Sequence, residues 1–280
     1  MSDVIEIDAG RPWWRLNLRE LWEKRDLFLL LLRKDLLASY KQSLLGPAWF
    51  VIQPLVTSLV FGLLFGRFAR LSPPRVPPFL YFLAGLVFWH YFQATVTNVS
   101  ASLVANASIL RKIYFPRLIA PLVAAGVSTI HFAVNYLVFL LIYLAHCLFA
   151  GWRSPLALRD LPVVLLMPVF LALVATGIGV WLAAWSVTYR DLRISTPMLL
   201  NIWMFATPII WPLRLAPADK RWLFALNPMT PLVELHRAIF LGTPVPELQH
   251  LALGAGTGLL ALVIGLAVFS RVQGTLVDTL

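Results

Sequence analysis

Between Arg117 and Arg153 runs LIAPLVAAGVSTIHFAVNYLVFLLIYLAHCLFAGW, residues 118–152, without one Lys, Arg, Asp or Glu. A bilayer core about 30 Å thick is crossed by roughly 20 helical residues, so this stretch holds one complete span and a loop. Its apolar residues run continuously instead of alternating. That pattern selects a helix over a barrel strand, because a helix satisfies its own backbone hydrogen bonds in lipid.

Outward from this stretch the pattern repeats. Residues 42–66, 76–110, 161–189, 194–213 and 248–270 are likewise free of charge. The spacing predicts an all-α polytopic membrane protein, one transmembrane domain over residues 1–280, with six transmembrane helices at 44–66, 79–101, 118–146, 161–188, 194–212 and 248–270. Composition agrees: 60% of the 280 residues are hydrophobic and 13% charged, against about 25% charged in soluble domains. The net charge of +10 fits anionic lipid headgroups, with no sign of a nucleic-acid partner.

Residues 12–43 are expected to form amphipathic interfacial helices. Trp14, Leu18, Leu21, Trp22 and Leu29 fall at helical offsets, with Arg15, Arg19, Glu23 and Asp26 on other faces. Eight basic residues precede the first span (Arg11, Arg15, Arg19, Lys24, Arg25, Arg33, Lys34 and Lys41). The positive-inside rule therefore places both termini in the cytoplasm. The external segment 213–247 mixes prolines with apolar runs too short to cross, the pattern of re-entrant helices. Gly62 with Gly66, and Gly254 with Gly258, stand at the spacing that lets helices approach closely.

Several classes of function are excluded. None of the 15 glycines precedes a lysine, so the phosphate-cradling loop of P-loop ATPases is absent from this chain. No charge-free stretch holds a carboxylate, which argues against a proton- or sodium-coupled carrier. His90, His131 and His146 lie in predicted spans without metal-ligand spacing and are read as members of polar pairs or an aqueous path, with no metal site. Cys147, the single cysteine, permits no disulfide within the chain.

Trp181, Trp185 and Tyr189 recur every four residues, making one aromatic stripe on which sugar rings can stack. Phe88, Trp89 and Phe92 are candidates to extend it. Arg111, Lys112, Ile113, Tyr114, Phe115, Pro116 and Arg117 combine basic and aromatic character on the predicted cytoplasmic side. This composition suits docking into a partner's groove, with Tyr114 and Phe115 as anchors, or alternatively an interfacial anchor. Glu234 and Arg237, three apart, are expected to be largely exposed or water-lined and to shape an outer gate together with His236.

Four segments in order carry a family resemblance: Arg33–Lys34–Asp35 through Tyr40–Trp49, Arg111–Arg117, Tyr189–Arg193, and Leu226–Asn227–Pro228–Met229–Thr230–Pro231. Together they resemble the polysaccharide-export permeases of type 2 ATP-binding-cassette exporters, which move O-antigen, teichoic acid or capsule precursors. The resemblance implies a homodimer flanked by two copies of a cytoplasmic ATPase that binds ATP and Mg, with no cofactor in this chain. It further implies a lipid-linked glycan substrate, a place in the cytoplasmic (inner) membrane, and Asn227 and Pro228 in the outer closure. The alternatives are a drug or small-lipid exporter of the same architecture and a membrane-embedded glycosyl or acyl transferase.

Overall fold

The computed structural model describes residues 18–41, 46, 48–74, 76–110, 115–152 and 154–272. Eleven α-helices are seen among them and no strand. They are α1 (Leu18–Glu23), α2 (Arg25–Tyr40), α3 (Ala48–Phe61), α4 (Pro78–Ala105), α5 (Ala107–Leu110), α6 (Ile119–Phe149), α7 (Leu161–Ser186), α8 (Arg190–Ala206), α9 (Arg221–Ala225), α10 (Met229–Leu241) and α11 (Leu248–Val272). A π-helical segment, Gly62–Phe68, continues α3. Pro78 starts α4 where its missing N–H costs nothing. Before α7, the carboxylate of Asp160 accepts the N–H of Ala157 at 3.0 Å. Gly242, at φ 66°, ends α10 in the left-handed conformation that glycine tolerates best.

α4 is the central helix, packed against α3, α6, α7, α8 and α10. Its Tyr81, Phe82, Phe88, Trp89 and Phe92 are wholly buried. α6 and α11 are more apolar than α4 and yet far less covered by the rest of the chain. A soluble protein shows the opposite order. Here the uncovered faces meet hydrocarbon, which is as apolar as leucine, so burial follows polarity and packing instead of hydropathy.

Five described segments are long and apolar enough to cross a membrane: Val51–Phe68, Pro78–Ala105, Ile119–Phe149, Leu158–Ser186 and Leu248–Val272. They match five of the six expected spans. The expected span 194–212 is instead a 17-residue helix, α8, that stops at Ala206. It has one residue fewer than the shortest of those five, and its first turn carries Arg190, Asp191 and Arg193.

Glycines set the closest approaches. A Cβ on Gly66 would collide with Pro78, and one on Gly254 with Pro231. Both predicted small-residue pairs therefore lie at real contacts: α3 and its π-helical continuation against α4, and α11 against α10 and α7. The tightest contact was not predicted. Gly177 of α7 and Gly265 of α11 meet backbone to backbone, and neither site has room for a methyl group.

The interfacial segment is described from Leu18. α2 lies across α6, with Phe28 and Leu32 seated over Gly126 and Leu31 buried beside Ile119 and Val123. Residues 213–241 form short 3-10 turns, α9 and α10, and α10 packs against α4, α7, α9 and α11. The segment is thus built into the bundle.

Candidate functional site

A cavity of about 570 Å³ opens between α3, α4, α6 and α8. Two facing polar stripes make it. On α4 they are His90, Gln93 and Thr97, and on α6 Ser128, His131 and Asn135. In each helix the offsets are zero, three and seven, the repeat of a single helical face. Gln53 and Pro54 of α3, Pro197 of α8 and Ser39 of α2 close the cavity toward one end of the bundle. That end carries α2, the starts of α3, α6 and α8, and the finish of α4. No Lys, Arg, Asp or Glu stands among the described lining residues.

Part of this polarity is internally satisfied. Gln93 Nε2 donates to Asn201 Oδ1 at 2.8 Å, joining α4 to α8. Asn98 Nδ2 donates to Ser128 Oγ at 3.0 Å, and Tyr91 and Thr129 share a hydroxyl contact of 2.7 Å. Asn135 Oδ1, by contrast, is buried and accepts no hydrogen bond. Tyr91 and Phe132, stacked at 4.4 Å, form an aromatic wall.

At the opposite end, Arg237 of α10 is 0% exposed. Its Nε donates to the Tyr81 carbonyl at 3.2 Å, and Nη1 to the Tyr81 hydroxyl at 3.1 Å and the Pro208 carbonyl at 2.7 Å. Nη2 donates to the Ile209 carbonyl at 2.7 Å. The guanidinium carbon lies 3.8 Å from the centre of the Tyr81 ring, a cation–π contact. Gly85 makes room, since a Cβ there would lie 2.6 Å from Nη2. One side chain thus joins α10, the first turn of α4 and the turn after α8. Asn227 adds a second tie: its Nδ2 donates to Thr207 Oγ1 at 2.7 Å, and its Oδ1 accepts the Met229 N–H at 3.1 Å as Pro228 leads into α10.

Of the expectation that Glu234 and Arg237 are largely exposed or water-lined, exposure is therefore corrected for both, while Glu234 does line a cavity of about 260 Å³ with Tyr81, Arg214 and His250. Glu234 lies 3.6 Å from Arg237 and is nearly buried. Burial pushes its carboxyl above the usual range, with Arg237 opposing. His236 is also wholly buried. Burial holds its imidazole at about 3, so it is neutral. The Ala84 carbonyl can only accept, so at 3.0 Å it takes the proton of Nδ1, which leaves Nε2 to accept from the Tyr136 hydroxyl at 3.3 Å. The i, i+3 spacing of two opposite charges suggested an exposed pair. The burial became visible only with the placement of α10 against α4.

The other predicted residues fall in different places. Trp181 and Trp185 lie on an exposed face of α7, 42% and 44% accessible, whereas Tyr189 falls after the end of α7 as the extended residue before α8, 53% accessible, so the expected helical stripe is interrupted, although the Trp185 and Tyr189 rings stack at 5.9 Å. Phe88, Trp89 and Phe92 do not join them. Phe88 packs on Phe132, Tyr136 and His236, and Phe92 on Trp203, inside the core. None of these six lines the polar cavity. Arg111, Lys112, Ile113 and Tyr114 lie outside the described residues. Phe115 is 4% exposed, buried with Leu31, Ile119 and Val123. It fills a pocket of its own chain, which corrects its expected role as an anchor in a partner.

The two polar stripes were missed in the sequence, although their 0-3-7 offsets inside charge-free runs are readable there. His90 and His131 do face the cavity. His146 does not, lying instead 6.1 Å from the Trp152 ring. Among the described residues no cluster of His, Cys, Asp or Glu is able to hold a metal.

The family described as ABC-2 type transporter matches residues 26–241. An O-antigen export system permease protein, RfbA, of Myxococcus xanthus is 31% identical over 235 residues, covering 83% of this chain and 87% of the relative. Two proteins of the same name from Klebsiella pneumoniae are each 26% identical over 252 residues, covering 89% of this chain and 92% of each relative. The matched region takes in the central helix, both walls of the polar cavity and the Arg237 clamp, and on these grounds the chain belongs to the ABC-2 type transporter family.

Proposed function

We propose that this chain is the membrane-embedded half of an ATP-driven exporter that moves a lipid-linked polysaccharide across the cytoplasmic membrane. One observation carries the reading: an uncharged polar cavity within an apolar bundle, in a chain without a phosphate-binding loop. Unpaired polar groups facing hydrocarbon cost several kcal/mol each. The stripes on α4 and α6 therefore call for water or a polar cargo. The names of the relatives specify O-antigen as their cargo, and a hydroxyl-rich glycan suits this lining.

In this reading two copies of the chain pair, two copies of a cytoplasmic ATPase bind ATP and Mg, and α8 crosses as the sixth span with both termini cytoplasmic. At 17 residues α8 reaches about 25 Å, enough for a membrane thinned locally or for a helix shielded by a second copy. Coupling falls to α2 and the loop 111–117 as one unit, because Phe115 is locked under α2. The Arg237 clamp holds the outer closure.

Deletion and complementation test the proposal. Loss of the chain should leave glycan synthesised but absent from the cell surface, and the chain with its ATPase should restore it. Unchanged surface glycan, with altered drug or lipid efflux instead, contradicts polysaccharide as the cargo.

A further inference from the structure

We infer that the cavity of about 260 Å³ beside Glu234 is a site for a phosphoethanolamine group, with Arg214, Arg221 and His250 receiving the phosphate and Glu247 the ammonium. The inference goes beyond the export reading, since it concerns the end of the bundle opposite α2 and a ligand other than the cargo.

Charge carries the argument. Arg214 and Arg221 come from the turns leading into α9, whereas Glu234 comes from α10 and Glu247 stands just before α11. Among the described residues no ion pair joins either arginine to either glutamate, and Glu234 pairs with Arg237 instead. Both signs thus border one cavity without neutralising each other. A lone phosphate would meet two carboxylates, and a lone cation two guanidinium groups. Nor do the described residues hold a cluster of His, Cys, Asp or Glu able to bind a metal. A ligand carrying both signs satisfies both sets.

The contacts are held in place and open. Arg221 Nε donates to the Ala216 carbonyl and Nη2 to the Arg214 carbonyl, each at 3.2 Å, which leaves Nη1 unbonded. His250 is 8% exposed and lines the cavity, yet its imidazole makes no hydrogen bond among the described residues. Its ring nitrogens are not sealed into the wall, as Thr243 Oγ1 and Glu234 Oε1 are. The exposed Glu247 carboxylate is steadied by Gln249 Nε2, which donates to it. Guanidinium and imidazole donors suit a phosphate, and a carboxylate suits a primary ammonium.

Size and position agree. The cavity has room for roughly nine waters at about 30 Å³ each, and a phosphoethanolamine group has a similar number of heavy atoms. It lies where α4 and α11 begin, the level at which headgroups meet a span. Leu215, Val245 and Leu248, beside the charged residues in sequence, are exposed apolar side chains suited to the lipid that carries such a headgroup. Once bound, the group ties the turns before α9 to the start of α11, bracing from outside the segment that Arg237 holds from within.

The test titrates the full chain, purified in detergent, with dioleoylphosphatidylethanolamine and follows binding by native mass spectrometry. Dioleoylphosphatidylglycerol, which keeps the phosphate and the chains but lacks the ammonium, is the comparison and should bind about tenfold more weakly. Arg214→Ala and Glu247→Gln should each weaken binding of the ethanolamine lipid about tenfold, the value of one charge-assisted hydrogen bond. Lipid-free melting should stay unchanged in both, because both side chains are exposed. Lys220→Ala, outside the cavity, should bind as wild type. Soluble glycerophosphoethanolamine identifies the source: competition only at far higher concentration assigns the site to a membrane lipid, and competition at equal concentration assigns it to an aqueous phosphoethanolamine ester. Equal binding of the glycerol lipid overturns the inference. So does binding unmoved by both Arg214→Ala and Glu247→Gln, or an equal loss in Lys220→Ala. None of these outcomes touches the export reading, which deletion and complementation decide.

Discussion

Replacing Arg237 by Met keeps most of the side-chain volume and removes every donor from the Arg237 clamp. The carbonyls of Pro208 and Ile209, each bonded at 2.7 Å, lose their guanidinium donor in a buried site. An orphaned buried acceptor costs about 1–3 kcal/mol, so these two account for about 2–6 kcal/mol. Removing one side of a buried charged contact costs about 3–5 kcal/mol, in the same range. Against a typical total of about 5–15 kcal/mol this is a large fraction. At roughly 2–4 °C per kcal/mol the melting temperature should fall by about 6–20 °C. Arg237→Lys retains the charge but not the planar fork that reaches Tyr81, Pro208 and Ile209 together, so it should recover only part of the loss. The assay is thermal unfolding of detergent-purified protein followed by tryptophan fluorescence, with limited proteolysis of residues 207–221 as a local readout. Melting of Arg237→Met within about 2 °C of wild type, with unchanged proteolysis, would refute the clamp.

Further outcomes follow from the packing and charge. Because the Glu234 carboxyl is raised by burial, the folded state binds its proton more tightly than the unfolded state does. Its contribution to stability therefore falls as pH rises from about 4.3, the ordinary glutamate value, through the raised folded value. Wild type should gain thermal stability on acidification within that window relative to Glu234→Gln, measured as parallel melting curves, and identical pH profiles would contradict the burial argument. Phe115→Ala should cost about 3–5 kcal/mol by opening a cavity under α2, seen as faster hydrogen exchange across 25–40. ATPase co-purification should fall with it, since α2 is released. Gly265→Leu should block insertion or folding because Gly177 leaves no room, whereas Gly256→Leu, with open space around it, should express normally.

The spans were readable because lipid imposes a rule on sequence: charge is absent wherever the backbone must cross. Five of the six expected spans therefore have both ends within seven residues of an observed apolar segment. α8 departs because its apolar run continues through Thr207–Pro212, where Pro208 cannot support a helix and Thr207 turns extended. Local sequence did not specify what depends on the meeting of distant segments. Arg237 looked like half of an i, i+3 surface pair, and its real partners lie 156 residues away at Tyr81 and 28 to 29 away at Ile209 and Pro208. Phe88, Trp89 and Phe92 looked like part of an aromatic path, because an aromatic residue reads the same whether it faces cargo or core. The polar stripes of α4 and α6 were legible in principle by offset, and their meaning emerged once the two helices stood face to face.

The central claim, a permease driven by a separate ATPase, is tested most directly in inside-out membrane vesicles holding this chain and its ATPase. Lipid-linked glycan supplied to the exposed cytoplasmic face should become protected inside the vesicles when ATP and Mg are added. Protection should disappear when the phosphate-loop lysine of the ATPase is replaced or when this chain is omitted. Glycan that becomes protected without ATP, or a lipid-linked sugar donor consumed by this chain alone, would contradict the account.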